Sequence, residues 1–130
     1  MKHIYNKILP PPGFKALTLW PLLFIRSMYM MAKDIRHEYI HGRQQREMLV
    51  VGILLFIVFS VLGLHQLAVL SIPLYFWLYG AFWLYHFIKT RDLKMAYRQN
   101  PFEKEAYFFE GDGDYLNRRK WFAWTKFIKQ

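Results

Sequence analysis

The stretch MLVVGILLFIVFSVLGLHQLAVLSIPLYFWLYGAFWLYHFI, residues 48–88, contains no charged side chain. A helix that crosses about 30 Å of hydrocarbon needs about 20 apolar residues at a rise of about 1.5 Å each. The run is about twice that length, which is enough for two such helices. Its least apolar part is residues 63–66, and Pro73 follows shortly after. Because proline fits best at the start of a helix, the sequence predicts a turn within residues 63–73 and a second helix that begins near Pro73.

The charges of the chain lie on either side of this run. There are 18 Lys and Arg residues against 9 Asp and Glu residues, a formal net charge of +9. Such a charge suits nucleic acid or an anionic membrane surface. Nucleic-acid binding does not require the uncharged gap, so the sequence favours a lipid bilayer as partner and argues against nucleic acid. Basic residues flank both ends of the run and are missing from the turn, which predicts that both termini are cytoplasmic. These flanking residues are Arg43, Arg46, Lys89, Arg91 and Lys94.

The whole chain is predicted to be a single membrane domain, residues 1–130, of the mainly all-α class. We expect an N-terminal interfacial segment at residues 1–33, a helix at 34–47, the transmembrane hairpin at 48–88, and a cytoplasmic segment at 89–130. Residues 16–20, ALTLW, have the composition of a short strand, so a strand is an alternative within the first segment. Pro21 would confine such a strand to a sheet edge.

The segment after the hairpin is predicted to be helical at residues 91–98 and 101–110. Asn100 is suited to an N-cap and Pro101 to the first helical position. The basic and aromatic residues 118–127 are expected to lie at an anionic headgroup surface. Glu110, Asp112 and Asp114 do not have the spacing of an EF-hand loop, so we interpret them as part of a solvated turn.

The sequence HEYIH at residues 37–41 carries the main chemical signal. His37 and His41 are one helical turn apart on one face, the spacing that two imidazoles need to share a metal ion. Glu38 can reach a water beside the metal without ligating the metal itself, which is the placement of a general base. Gln44 lies on the same face and is predicted to hydrogen-bond a ligand or contact substrate. The chain has no cysteine, so a metal site must use histidines and carboxylates.

A catalytic zinc site has three protein ligands and one open position, and two histidines with one glutamate are a known ligand set. The predicted hairpin returns the chain to the side of the membrane on which HEYIH lies. Glu103 and Glu105 are therefore both candidates for the third zinc ligand.

HEYIH followed by EKEAY, residues 103–107, resembles the gluzincin metallopeptidases. In the membrane-embedded gluzincins related to the CAAX prenyl and HtpX-type proteases, a later helix supplies a glutamate in the pattern Glu-x-x-Ala-Asp. Matching Ala106 to that alanine implies that Glu103 is the third ligand and that Tyr107 replaces an aspartate that orients a zinc-bound histidine. The resemblance then implies that Tyr107, Glu105 or another carboxylate performs this task.

Nearly the whole chain also resembles small bacterial membrane proteins that share an aromatic N-terminal segment, HExxHxxQ, an apolar hairpin and the pattern Phe-Glu-x-Glu-Ala-Tyr. This resemblance implies the bacterial inner membrane and the pairing of His37, His41 and Glu103, while the distribution of Lys and Arg predicts that the metal site is on the cytoplasmic side.

The predicted function is that of a zinc metallopeptidase that hydrolyses a peptide bond in a peptide or membrane-protein substrate. Glu38 is the expected general base, and Tyr107, Arg98 or a nearby histidine is the expected donor to the oxyanion. The alternative is a non-catalytic membrane protein that keeps a structural zinc or polar site and acts as an adaptor or subunit. A second copy or a partner membrane protein is a candidate to complete the site.

Overall fold

The computed structural model describes residues 1–26 and 29–129. The chain is mainly helical, as the sequence predicts, and it also carries one small sheet. The elements in chain order are β1 (Lys2–Tyr5), β2 (Ala16–Leu19), β3 (Leu22–Ile25), α1 (Ala32–Val61), α2 (His65–Ser71), α3 (Leu74–Thr90), α4 (Leu93–Gln99), α5 (Pro101–Phe109), α6 (Tyr115–Arg118) and a 3-10 helix (Ala123–Phe127).

The first 25 residues contain a three-stranded sheet with the order β1-β3-β2. The predicted strand is β2, and it lies at a sheet edge antiparallel to β3, while β1, which the sequence did not predict, pairs parallel to β3. Pro21 lies in the turn between β2 and β3, where its missing N–H costs no ladder hydrogen bond. Leu23 and Ile25 are buried and pack with Tyr39 of α1. Within the expected N-terminal segment, residues 1–33, the sheet thus has a core of its own against α1.

Helix α1 is continuous from Ala32 to Val61. The predicted boundary between a helix at 34–47 and the apolar run at 48–88 is not a helix break. Glu47 and Met48 at that boundary both favour helix, so nothing in the local sequence ends the helix there. The HEYIH segment and the first apolar segment consequently belong to one continuous helix.

Helix α2 returns along the apolar half of α1. The Ser71 hydroxyl donates a hydrogen bond of 2.9 Å to the Gly52 carbonyl oxygen. A Cβ atom on Gly52 would lie only 2.4 Å from the Ser71 carbonyl oxygen, so this close approach requires glycine.

Helix α3 begins just after Pro73, as predicted, and it is bent by 76° from α2. Within the described residues, only α1 is by itself long and apolar enough to cross a membrane, and α2 with α3 reaches that length only as a bent pair. In place of the second straight apolar helix expected from residues 48–88, the structure has this bent pair. Proline has no N–H for the hydrogen-bond ladder of α2, which is consistent with a break at this position.

The largest aromatic cluster joins α3, α5 and the C-terminal 3-10 helix. Phe102 is fully buried, and its ring lies 4.8 Å from that of Tyr75 and 4.4 Å from that of Trp124, measured between centroids. Trp124 and Phe127 are buried, although the basic aromatic residues 118–127 were expected at a headgroup surface. That expectation is wrong for these two side chains, because Trp124 packs on Phe102 and Phe127 on Phe109, and only the tertiary fold creates these contacts.

Helix α5 begins as the sequence predicts. The Asn100 side chain accepts a hydrogen bond from the backbone N–H of Phe102, and Pro101 occupies the first helical position. Asp92 caps α4 in the same way, so the helix predicted at residues 91–98 begins at Leu93. The start of α5 at Pro101 places Glu103 in the first turn of that helix, on the side that faces α1.

Candidate metal centre

Three side chains from two helices converge in the interior. His37 and His41 lie one turn apart on α1, with their Nε2 atoms 3.1 Å from each other. Glu103 on α5 faces both, with Oε2 at 3.3 Å from His37 Nε2 and Oε1 at 3.3 Å from His41 Nε2. All three residues are buried, and they form a group that could hold a metal ion. The structure thus brings together the three ligands that the sequence predicts.

The donor atoms of this cluster fit a zinc ion. Zinc–ligand bonds of about 2.0–2.1 Å in a tetrahedron imply donor atoms about 3.3 Å apart, which is close to the observed separations. The Glu103 Oε2 atom is buried and has no hydrogen-bond partner among the described residues. A buried carboxylate oxygen without a donor, facing two imidazole nitrogens, is the arrangement that a cation would satisfy.

The electrostatics keep Glu103 ionised. Burial by itself would raise the pKa of Glu103, but His41 and His37 hold that pKa well below its usual range. Burial opposes protonation of His41, yet the Glu103 carboxylate outweighs it and raises the pKa of His41 to about 9. Glu103 therefore has the charge of a metal ligand, whereas His41 must lose a proton before it can bind a metal.

His37 is oriented by Glu110 at the end of α5. The His37 Nδ1 atom lies 3.0 Å from Glu110 Oε2, and because a carboxylate only accepts, Nδ1 carries the proton. Arg36 donates to the Glu110 backbone oxygen at 2.7 Å. The solvated-turn interpretation of Glu110 is therefore wrong. Glu110 follows Glu103 by two helical turns, and this same-face spacing is the sequence signal that was missed.

Tyr107 does not take the role that its position in the motif implies. Its ring meets the His37 ring edge-on at a centroid distance of 4.7 Å, and the residue is 45% exposed. The contact is therefore one of packing, while the hydrogen bond to His37 comes from Glu110.

His41 is oriented by Gln44, whose Oε1 atom lies 2.8 Å from His41 Nδ1. The Gln44 Nε2 atom donates to the Phe102 carbonyl oxygen at 3.0 Å and to Glu105 Oε2 at 2.9 Å. Glu105, the other candidate ligand, faces Gln44 and Arg119 instead of the histidines. Of the two carboxylates left open by the sequence, Glu103 is the one in the cluster.

Glu38 lies beside the cluster and is held by the sheet. The Thr18 hydroxyl of β2 donates to Glu38 Oε2 at 2.7 Å. Glu38, His41 and Glu103 all line a cleft of about 270 Å³ that also includes Tyr75. A carboxylate next to the candidate metal ligands therefore lines the same cleft as His41 and Glu103. Thr18 was not recognised as a site residue because nothing in ALTLW indicates its partner.

Gln45 attaches the site to the outer edge of β2. Its Nε2 atom donates to the Thr18 carbonyl oxygen at 2.7 Å, and its Oε1 atom accepts from the Trp20 backbone N–H at 2.7 Å. The side-chain amide thus occupies backbone groups that a neighbouring strand would otherwise use. By fixing Thr18, Gln45 also fixes the group that holds Glu38. Nothing in the sequence around Gln45 indicates this role.

Several tyrosines surround the cluster. The Tyr79 hydroxyl donates to Glu103 Oε1 at 2.8 Å. Tyr97 lines the cleft described above and also a second one beside His37, Glu38 and Glu110. Burial and the nearby Glu103 carboxylate raise the pKa of Tyr97 well above its usual value, so its hydroxyl remains a donor. Arg98, an expected oxyanion donor, lines a different surface cleft.

No protein-family model, curated protein or solved structure matches this chain. The functional assignment therefore depends on the geometry of the site. That geometry is a buried group of two histidines and one glutamate, with a further carboxylate, Glu38, in the lining of the adjacent cleft.

Proposed function

We propose that this protein is a membrane-integrated zinc metallopeptidase of the gluzincin type. The observation that carries the proposal is the convergence of His37, His41 and Glu103 with Glu38 beside them at a cleft. A purely structural zinc site is normally closed by four protein ligands, whereas a catalytic one keeps a position open. The three-ligand group next to a cleft favours the catalytic class over the structural one.

The chemistry follows from the positions of these side chains. Zinc held by His37, His41 and Glu103 would supply a Lewis acid that polarises the scissile carbonyl and acidifies the attacking water. Glu38 accepts the proton of that water and transfers it to the leaving amine. The Thr18 hydroxyl donates a hydrogen bond to one Glu38 carboxylate oxygen and sets the direction in which the other oxygen points.

Tyr97 is the residue we assign to the developing oxyanion. Its hydroxyl stays protonated and lines both clefts beside Glu38. The extended substrate would lie along the outer edge of β2 near Ala16, which lines the same two clefts, and would pair with the strand by β-addition. The free edge does not continue past this point, because the Gln45 side chain already binds the Thr18 carbonyl oxygen and the Trp20 backbone N–H.

The membrane part of the proposal rests on charge and exposure. The apolar half of α1 and the bent α2–α3 pair would lie in the bacterial inner membrane, with both termini and the metal centre cytoplasmic. Large apolar side chains face outward on these helices and would contact lipid. They include Leu54, Ile57, Leu67, Trp77 and Leu84.

Membrane insertion can be tested by labelling. The chain has no cysteine, so Gln66→Cys in the turn region and Lys126→Cys near the C-terminus each introduce a single thiol. In intact cells, an impermeant maleimide should label the first variant only, and after lysis it should label both. Labelling of Lys126→Cys from outside would contradict the orientation, and extraction of the protein by alkaline carbonate would contradict insertion.

The catalytic claim is tested by metal content and Glu38→Gln. The purified wild type should carry one zinc by elemental analysis and cleave members of a quenched-fluorescent peptide library in detergent. Glu38→Gln should keep the zinc and lose the cleavage, because the amide cannot accept the proton. Turnover equal to wild type would show that Glu38 is not the base. A wild type that binds zinc and cleaves nothing would instead favour the non-catalytic adaptor.

A further inference from the structure

Arg119, from the C-terminal segment, is buried between two carboxylates. Its guanidinium donates to Glu105 from Nε at 2.6 Å and from Nη2 at 3.2 Å, and it also pairs with Glu47 of α1. The three side chains are at most 4% exposed. Ionised groups buried this deeply require pairing, so the position and charge of each depend on the other two.

Glu105 in turn restricts the orientation of the Gln44 side chain. As an ionised carboxylate it only accepts hydrogen bonds, and it receives them from Arg119, from the Tyr115 hydroxyl at 2.7 Å and from Gln44 Nε2 at 2.9 Å. The second acceptor of Gln44 Nε2 is the Phe102 carbonyl oxygen. Both amide hydrogens of Gln44 are thus committed to acceptors, and the amide has only one orientation that satisfies them.

That orientation determines which nitrogen carries the proton in neutral His41, the form that can bind a metal. With Nε2 of Gln44 turned toward Glu105, its Oε1 atom faces His41 Nδ1. An acceptor at this position requires a proton on Nδ1, which leaves Nε2 to face Glu103 and His37. Metal-binding histidines are oriented in this manner by partners behind them.

We infer that Arg119 is a positioning residue for the metal centre, acting through Glu105 and Gln44 to keep the His41 proton on Nδ1 and Nε2 available to the metal. The inference rests on the proposed zinc centre for its purpose, although the hydrogen bonds themselves do not involve a metal. The basic C-terminal segment is, in this view, a part of the site, because it supplies the guanidinium that holds Glu105 in place.

Glu105 and Glu47 provide a matched comparison. Both are buried and both bind Arg119, but only Glu105 contacts Gln44. In Glu105→Gln, Arg119 and Tyr115 would hold the new carbonyl oxygen, and the new amide nitrogen would face Gln44 Nε2. Two donors cannot bond, so Gln44 would rotate and present its amide nitrogen to His41. Glu47→Gln makes the same change of charge beside the same arginine and leaves Gln44 as it is.

The relay predicts that Glu105→Gln weakens zinc binding by about 10–100-fold, measured by chelator competition. The same variant should alter the visible absorption spectrum of the cobalt(II)-substituted protein. Glu47→Gln should match wild type in both measurements, even if its melting temperature falls equally. Equal effects of the two variants, or no effect of Glu105→Gln, would overturn the inference.

Two additions keep the test decisive. If Glu105→Gln does not fold, Gln44→Met removes the nearer acceptor for His41 Nδ1, leaving the Tyr75 hydroxyl at 3.4 Å and the Arg119–Glu105 pair in place. An unchanged cobalt spectrum would then refute the relay. In the metal-free protein, nitrogen-15 NMR at a pH high enough to leave His41 neutral should detect a proton on His41 Nδ1 in wild type and Glu47→Gln and not in Glu105→Gln. A wild type that binds no zinc would refute the proposed function, and the Nδ1 proton would still test the relay.

Discussion

Glu110 Oε2 lies 3.0 Å from His37 Nδ1, so a carboxylate at the end of α5 orients the first imidazole of the metal centre. The same helix also supplies Glu103 to the cluster. One helix thereby contributes both a candidate ligand and the group that holds another ligand in place. Tyr107 lies between these two residues in sequence and packs against the His37 ring.

The first prediction separates the roles of Glu110 and Tyr107. Glu110→Ala should weaken zinc binding by about 10–100-fold, because His37 loses the acceptor that fixes its ring. Tyr107→Leu should bind zinc nearly as well as wild type, since it removes only a packing contact. Competition with a chromophoric chelator measures both. A larger loss in Tyr107→Leu would return the orienting role to the tyrosine.

The second prediction concerns Thr18. Thr18→Val keeps the shape of the side chain but removes the hydroxyl that donates to Glu38. Hydrogen bonds to charged groups contribute about 1.5–3 kcal/mol, so peptide turnover should fall at least about 10-fold. Zinc content should not change, because Thr18 contacts none of the three ligands. Thr125→Val, which removes an exposed hydroxyl bonded only to the Phe122 carbonyl oxygen, is the control. A parallel loss of zinc in Thr18→Val would contradict a role confined to Glu38.

The third prediction is a pH dependence of zinc binding. The pKa of His41 is raised to about 9 in the metal-free protein, so His41 is protonated at pH 7. A histidine must be neutral to bind a metal, and zinc binding at pH 7 should therefore release a proton. Affinity should increase with pH until about 9 and then level off for this group. Calorimetry in buffers of different ionisation enthalpy reads the proton release directly. Zinc binding at pH 7 without net proton release would contradict the prediction.

The fourth prediction compares two helical glycines. Gly52→Ala would bring a methyl group within 2.4 Å of the Ser71 carbonyl oxygen, and backbone cannot yield there without separating α1 from α2. We expect a loss of about 1–3 kcal/mol in the free energy of unfolding. Gly80→Ala meets no described atom within 4 Å and should be neutral or slightly stabilising. Thermal unfolding in detergent measures both, and equal melting temperatures would contradict the close approach at Gly52.

The sequence by itself determined the features that depend on local pattern. Residues 48–88 are uncharged, HEYIH places two histidines on one helical face, and Asn100 with Pro101 begins a helix. Each of these follows from the spacing or conformational preference of neighbouring residues. The same reasoning gave β2, whose composition favours a strand, and the start of α3 after Pro73.

Only the tertiary structure decided which distant residues complete the site. Glu103 and Glu105 are two residues apart and therefore point to different faces of α5, and the packing of α5 on α1 selects Glu103. Glu110 and Thr18 became site residues because separate elements bring them to His37 and Glu38.

The C-terminal segment illustrates the same limit. A basic, aromatic composition suits both a headgroup surface and a core with one buried arginine, so residues 118–127 were assigned to the surface. The structure buries Trp124 against Phe102 and pairs Arg119 with Glu47 and Glu105. A buried charge is tolerable only where its partners converge from elsewhere in the chain, and that convergence depends on long-range packing that local sequence does not encode.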